Sequence, residues 1–346
     1  MLGQRRDRDH RERSETDAPS SEPARRAWAR PLASIAVTAG LCVWLLRRVD
    51  TRELFDWLVR VDRSYLAGYV VLSAAGLLAR SARYSMLIGR WVGFLPLVMV
   101  TAARNFLVDL LPARIGSLSY VYLLTRRFEA PLGPVLSSFV LTFLYDLLAM
   151  TLLLGIALGL QFGRFEGAAA LAVATSVFAT VVVTAFFGLS PALRWSIAVL
   201  TRFPRAAEVR RRLRQVVDAV DESGGVGLTL ALLGMSLGIR LLKFGAYWLL
   251  LLGVVREHDV TAAELPFWTV FLGIAGAELS ATLPVHGIAG FGTYETAWTI
   301  GFRQLGLSSR VAILSGFATH LLSQLYDYSV GLVGLATALA WSRKAR

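Results

Sequence analysis

The chain has 346 residues, of which 55% are hydrophobic and 17% are charged, and its formal net charge is +12. About a quarter of the residues in a soluble domain are charged, and several apolar runs exceed the ~20 residues that cross a ~30 Å hydrocarbon core. These values exclude a soluble globular protein and predict an all-α, polytopic membrane bundle. The arginines flank apolar runs, which indicates topology signals and argues against nucleic-acid binding.

A polar tail precedes a long apolar domain. Residues 1–30 are rich in Arg, Asp, Glu and Ser, so we expect a disordered cytoplasmic tail. Residues 31–343 are expected to form one transmembrane domain. Its apolar segments are 31–46, 65–88, 94–124, 132–160, 168–189, 226–255, 265–302 and 309–341. The basic stretch at 190–222 predicts an amphipathic helix on the cytoplasmic surface.

The distribution of Lys and Arg predicts an orientation in the cell (plasma or inner) membrane. Eight arginines precede Pro31, and residues 190–214 and the C-terminus are also basic, so both termini are expected to be cytoplasmic. Residues 47–63 then lie outside, although they hold five arginines. For these assignments to agree, segments 94–124 and 265–302 must each begin and end on one side.

Both of those segments are interrupted near the middle by Leu-Pro. The first reads NFLVDLLPARIG and contains Pro112 and Gly116. The second reads ELSATLPVHGIAG, contains Pro284 and Gly290, and is followed by Gly292. Proline removes a backbone donor and clashes with the preceding turn, and glycine permits a tight bend. We therefore expect two broken, re-entrant helical hairpins, one entering from the cytoplasm and one from outside.

One order of motifs occurs twice along the chain. A basic pair three residues apart is followed by a Leu-Pro break and then by Leu-Tyr-Asp. The charged residues are Arg80, Arg83 and Asp146 in the first copy and Arg240, Lys243 and Asp327 in the second. Because topology makes the halves antiparallel, this order predicts an inverted repeat with halves at 65–160 and 226–341, and a substrate site near the midplane.

Several charged residues are expected deep in the membrane. Asp146, Asp327, Arg240 and Lys243 are each predicted about 15–20 Å from both surfaces. An ionised group there costs from ~3 to more than 10 kcal/mol unless it is paired or hydrated. These residues indicate either a polar pathway or structural ion pairs between the aspartates and the basic residues, and Glu278 is expected to pair with Arg240.

Other polar residues have two interpretations each. Arg80 and Arg83, near the cytoplasmic end of their helix, either belong to the site or snorkel to the surface. Asn105 either contacts substrate or bonds a neighbouring helix. Arg114, just after the first break, suits bidentate phosphate contact or sets topology. His320, on the same helix face as Asp327, is a proton relay or a packing residue.

These segments resemble the lysylphosphatidylglycerol synthase transmembrane region, also called the flippase-like membrane family, over about residues 30–341. The matching positions are Asn105, Pro112, Arg114, Gly116 and Asp146 in the first half and Pro284, Gly290, Gly292 and Glu295 in the second. Ser117 and Tyr120 stand where the family often has a glutamate and an arginine. The sequence lacks the soluble aminoacyltransferase domain of full-length synthases, so the resemblance implies lipid translocation or handling of a lipid-linked group.

The favoured function is therefore a flippase-like transporter that moves an anionic or lipid-linked headgroup between the two hairpins, without enzymatic activity, metal or cofactor. The predicted substrate-binding residues are Asn105, Arg114, Arg240, Lys243 and Glu295, and the charge-balancing or proton-coupling residues are Asp146, Glu278, Asp327 and His320. Membrane lipids are the expected partners. The alternatives are a non-catalytic membrane partner of a separate lipid-modifying synthase and an intramembrane lipid-phosphate enzyme.

Overall fold

The computed structural model describes residues 51–161, 168–203, 207–222, 225–256, 260, 262–280 and 291–341. Within these ranges the chain is all-helical, as predicted, and contains no strand. The helices are α1 (Thr51–Val59), α2 (Arg63–Ile88), α3 (Phe94–Leu110), α4 (Ser119–Arg126), α5 (Leu132–Gln161), α6 (Ala168–Leu200), α7 (Ala207–Glu222), α8 (Val226–Val255), α9 (Phe267–Ser280), α10 (Thr293–Gln304) and α11 (Ser309–Ala340). Short 3-10 helices occupy Gly89–Trp91 and Pro112–Leu118. The predicted tail and the apolar segment at 31–46 lie outside the described residues.

Four helical segments in the described part of the chain are long and apolar enough to cross a membrane by length and composition. They are Arg63–Trp91, Leu132–Gln161, Ala169–Gly188 and Val226–Val255. Each coincides with a predicted apolar segment. Helix α11 has 32 residues but carries Ser, Thr, His, Gln and Asp side chains along its length. The architecture confirms the predicted polytopic helical bundle.

Small residues allow α2 and α8 to pack closely in antiparallel directions. A Cβ atom at Gly68 would lie 2.8 Å from a methyl group of Leu249, and one at Gly253 would lie 2.8 Å from the Cβ of Tyr65. Membrane helices associate through such close backbone approach, because lipid tails provide no hydrophobic drive between helices. The helices that carry the two predicted basic pairs are therefore direct neighbours.

Small residues also allow α3 and α11 to pack closely. A Cβ atom at Gly334 would lie 2.7 Å from the carbonyl oxygen of Met99, and one at Gly331 would lie 2.3 Å from the Cβ of Phe106. The Phe106 ring also meets Tyr328 edge-on, with 5.2 Å between ring centroids. This contact fixes the first broken segment against the last helix of the chain.

The basic stretch at 190–222 is divided between two helices. Helix α6 continues through Pro191 to Leu200, and the amphipathic helix α7 follows at Ala207–Glu222. Val217 of α7 is buried, and Gln215 contacts the backbone at Gly133, near the start of α5. The amphipathic helix thus packs at the end of the bundle where α5 begins.

Two hydrophobic clusters lie at opposite ends of the bundle. One contains Trp57, Val255, Phe302 and Ala312, contributed by α1, α8, α10 and α11. The other joins the ends of α2, α4 and α11 to the start of α3, and its members include Ile88, Leu97, Leu124, Phe128 and Ala338. The first end corresponds to the predicted outside and the second to the predicted cytoplasmic side, and these sides stay a prediction.

Candidate functional site

The first break lies where the sequence places it. Helix α3 ends before Leu111, which has an extended backbone (φ −93°, ψ 137°), and Pro112 begins the 3-10 segment. A Cβ atom at Gly116 would lie 1.8 Å from the carbonyl oxygen of Leu107, so this position folds directly onto the backbone of α3. The side chain of Arg114 lies outside the described residues. Helix α4 then runs back toward the start of α3 and shares the second hydrophobic cluster with it.

Arg83 forms a buried ion pair beside this break. Its side chain is 1% exposed, and its Nη1 and Nη2 atoms donate to the two carboxylate oxygens of Asp146 at 2.5 and 3.2 Å. Nη1 also donates to the Ser236 hydroxyl at 2.5 Å. Three helices, α2, α5 and α8, are therefore tied together. Asp146 pairs with Arg83, which corrects the expectation that its ion-pair partner is Arg240 or Lys243.

Arg80, one turn earlier on α2, faces α3. Its Nη1 atom donates to the amide oxygen of Asn105 at 3.0 Å. Arg80 and Asn105 are thus brought together across two helices, and Asn105 makes the interhelical hydrogen bond that was one of its two interpretations. Both basic residues of the first pair are engaged inside the bundle rather than snorkelling to the surface.

Arg104 is a site residue that the sequence interpretation missed. Its guanidinium carbon lies 5.9 Å from the ring centroid of Phe139, and its Nε atom is buried without a hydrogen-bond partner in the described part of the chain. The signal was present, because Arg104 interrupts the apolar run 94–124 ten residues after α3 begins. Arg104 was not predicted because it lies outside the Leu-Pro segment and the repeated basic pairs.

The second break lies between α9 and α10. The Ser280 hydroxyl at the end of α9 donates to the carbonyl oxygen of Thr293 at the start of α10, at 3.3 Å. Farther along, the Phe302 ring packs against Gly273, so the two helices are antiparallel. Pro284 and Gly290 lie outside the described residues. Gly292 is buried and has a φ of 86°, a backbone conformation that favours glycine.

Glu295 and His320 form a buried pair next to Gly292. Glu295 is fully buried, and its Oε2 atom accepts from the Gly292 N–H at 2.6 Å while Oε1 lies 2.5 Å from His320 Nδ1. His320 Nε2 lies 3.1 Å from the amide nitrogen of Gln324. The Phe291 ring stacks on the imidazole with 4.6 Å between ring centroids. Glu295 therefore caps α10 and holds the histidine in place.

The second basic pair meets one carboxylate. Lys243 Nζ lies 2.5 Å from Glu278 Oε1, and Arg240 Nη1 lies 4.0 Å from Glu278 Oε2. The predicted proximity of Glu278 to Arg240 is present, with Lys243 as the closer partner. These side chains are 20% (Arg240), 33% (Lys243) and 19% (Glu278) exposed, although they lie inside the bundle. Glu278 is two residues from the end of α9, so this group adjoins the second break.

Asp327 lies on α11 between the two basic groups. It interacts electrostatically with Lys243 from the second half and with Arg80 from the first. Asp109, on α3, is near enough to repel it. The described residues include no group of three or more His, Cys, Asp or Glu side chains that could hold a metal ion.

The fold and these charged groups define a class: an integral membrane protein built as a helical bundle, with ionisable side chains gathered inside it beside two helix breaks. The model of one family, the lysylphosphatidylglycerol synthase TM region, matches residues 32–331. The chain belongs to this family. A comparison with curated proteins found no match, and a comparison with solved structures also found none.

Proposed function

We propose that the protein is a flippase-like transporter that moves an anionic or lipid-linked headgroup across the membrane, and that it acts without enzymatic chemistry. The group formed by Arg240, Lys243 and Glu278 carries this proposal. Arg240 lies near the middle of α8, about 20 Å from either end at 1.5 Å of rise per residue. Charged side chains at that depth pair with one another or face water or a polar substrate, and these side chains remain partly exposed beside the carboxylate with which they pair.

The incomplete pairing of this group suits substrate exchange. One carboxylate faces two cations, and Arg240 stands 4.0 Å from Glu278, beyond hydrogen-bonding distance. A negatively charged headgroup can therefore approach Arg240 without first displacing a strong ion pair. Glu278 compensates the positive charge when the site is empty.

The packing of the halves supports an inverted repeat. Helices α2 and α8, which carry the equivalent basic pairs, are antiparallel neighbours. The first hairpin, α3 and α4, packs against α11, the last helix of the second half, through Ala338. The second hairpin, α9 and α10, packs against α5, the last helix of the first half, in a cluster with Leu154 and Phe271. Each hairpin thus packs on the other half, as a pseudo-twofold axis requires.

Glu295 and His320 are proposed to carry a coupling proton. As placed, Gln324 donates to His320 Nε2, so Nδ1 holds the proton that bridges to Glu295. Turning the Gln324 amide over would present its oxygen instead, and His320 could then hold protons on both nitrogens.

The proposal is tested by reconstituting the full-length protein in liposomes that contain phosphatidylglycerol with a fluorescent label on an acyl chain. A membrane-impermeant quencher then reports how fast the labelled lipid crosses the membrane. Wild type is expected to move lipid faster than empty liposomes. Glu278→Gln removes the carboxylate that prepares the site, and we expect at least a tenfold loss of rate.

Arg310→Gln is the matched control. It also breaks an Arg–Glu ion pair, at 2.7 Å to Glu53, but Arg310 is 72% exposed at the start of α11. We expect this variant to retain the wild-type rate. Equal rates in wild type, Glu278→Gln and empty liposomes reject transport and favour a membrane partner of a separate synthase.

A further inference from the structure

We propose that Arg80 and Arg104 form a phosphate-binding site between α2, α3 and α5, separate from the Arg240–Lys243 group. The phosphate would belong to a lipid headgroup or to the free anion, and the two sources are distinguished below. In its lipid form the inference rests on the proposed function, because the ligand would then be the headgroup that is moved.

The geometry brings two cations together, and neither forms an ion pair with a carboxylate in the described part of the chain. Arg80 and Arg104 are close enough to repel each other. Arg80 is oriented by Asn105, a neutral acceptor that leaves its charge in place. Arg104 forms neither an ion pair nor a hydrogen bond with any described residue, and its buried Nε atom remains an unused donor. Two adjacent guanidinium groups at membrane depth are unfavourable unless an anion joins them.

Two nearby carboxylates, Asp146 and Asp327, act on Arg80 without forming an ion pair with it. Asp146 acts on Arg80, but both of its oxygens accept from Arg83. Asp327 acts on Arg80 from α11 and is repelled by Asp109. None of these three forms an ion pair with Arg104 in the described part of the chain. Arg83 therefore belongs to the frame of the site, and Arg80 and Arg104 are its open donors.

Aromatic rings lie on one side of Arg104. Phe139 lies under its guanidinium group, and Tyr120 stacks on Phe139 with 6.2 Å between ring centroids. The Tyr120 hydroxyl already forms a hydrogen bond with the Ser138 hydroxyl at 3.0 Å, so this hydroxyl is not directed at Arg104. A low-polarity wall strengthens a charge-assisted hydrogen bond. Two planar guanidinium groups supply the several donors that a tetrahedral phosphate accepts.

Binding is measured on the full chain in a non-ionic detergent, by calorimetry with three ligands: dihexanoyl phosphatidylglycerol, inorganic phosphate and dihexanoylglycerol. The last has the same acyl chains without the phosphate. We expect wild type to bind a phosphate-bearing ligand and not dihexanoylglycerol. Arg104→Gln and Arg80→Gln are expected to weaken that binding about tenfold or more, because each removes charged donors. Arg104→Lys should recover part of the affinity, and Arg310→Gln should bind as wild type does.

Each outcome decides the proposal. Binding of phosphatidylglycerol, inorganic phosphate or both, with the loss in Arg104→Gln, supports the site and identifies the source. Affinity unchanged in a folded Arg104→Gln or Arg80→Gln overturns it, as does equal displacement by chloride. Loss of binding in Arg104→Gln while wild type moves no lipid keeps this site and rejects transport. Lipid transport by wild type, together with unchanged binding in Arg104→Gln, rejects this site and keeps the transport proposal.

Discussion

The two basic pairs of the predicted repeat are held in different ways. Arg83, in the first half, is 1% exposed and makes a bidentate ion pair with Asp146. Lys243, in the second half, is 33% exposed and shares one carboxylate with Arg240. The same spacing of basic residues therefore yields a sealed ion pair in one half and an accessible charged group in the other.

Neighbouring helices cause this difference. Arg83 points between α5 and α8, where Asp146 and the Ser236 hydroxyl satisfy it. Arg240 and Lys243 meet Glu278 near the end of α9, and all three side chains are partly exposed. A repeat in sequence thus permits one half to hold a buried ion pair and the other to hold a more exposed charged group. Breaking each pair should separate these roles.

The largest effect is expected from Arg83→Gln. It leaves Asp146 ionised and unpaired among three helices, and breaking a buried pair by removing one partner costs about 3–5 kcal/mol. The thermal unfolding midpoint in detergent should fall by more than it does for Gly116→Ala, Lys243→Gln or Asp62→Asn. The measurement is tryptophan fluorescence during heating, with size-exclusion chromatography to show that the starting state is folded.

A double variant distinguishes an ion pair from simple packing. Arg83→Gln with Asp146→Asn leaves two neutral groups that can still bond, so it should be more stable than Arg83→Gln alone. Additive losses would show that the two side chains contribute independently and that the sealed pair is not the element that joins α2, α5 and α8.

A smaller loss is expected where the first break folds onto α3. Gly116→Ala places a methyl group against the backbone of Leu107, and such overpacking costs about 1–3 kcal/mol. Gly276→Ala is the matched control on the second half, since a Cβ atom there would meet nothing within 4 Å. Its thermal midpoint should be unchanged or slightly higher, because alanine favours helix. A fall of equal size in both variants would contradict the close approach at Gly116.

Much of the fold was predictable because membrane thickness imposes its own length scale. Runs of apolar residues located four spans, and Leu-Pro located the break at Leu111. The continuation of α6 through Pro191 was not predictable from local preference, because a proline ordinarily ends or kinks a helix. The orientation, the inverted repeat and the re-entry of the hairpins stay predictions.

The positions of the charged residues were predictable from the sequence, but which of them form ion pairs with each other was not. The depth of Asp146, Arg240, Lys243 and Asp327 follows from position along an apolar run. The partner of Asp146 depends on the rotation of α2 and α5 about their axes, which periodicity leaves open when the helices are apolar on all sides. Arg104 was not predicted because it is a single arginine and belongs to neither repeated basic pair.

In the second half of the predicted repeat, Lys243→Gln should change the free energy of unfolding by less than about 1 kcal/mol. In the proposed function water reaches this group, and ion pairs that water reaches contribute little to stability. Arg240 also remains to compensate Glu278. The thermal midpoint should stay near that of wild type while lipid movement in liposomes falls. A midpoint loss as large as that of Arg83→Gln would show that the second pair is also structural, and the contrast between the halves would disappear.

The smallest effect is expected at a third ion pair, at the start of α2. Asp62 caps this helix by accepting from the Ser64 N–H at 2.8 Å, and it lies 2.6 Å from Arg256. The hydrogen bond from the Ser64 hydroxyl, together with the Arg256 charge, lowers the pKa of Asp62 below its usual value. A lowered pKa in the folded state adds stability above the unfolded pKa of about 3.9, and this stability is lost as the pH falls through the folded value.

Asp62→Asn keeps a capping side chain and removes the charge. Its thermal midpoint should therefore be slightly below that of wild type at pH 7, and the difference should vanish as the pH falls below about 4. A difference that persists at low pH would assign the effect to cap geometry instead of charge.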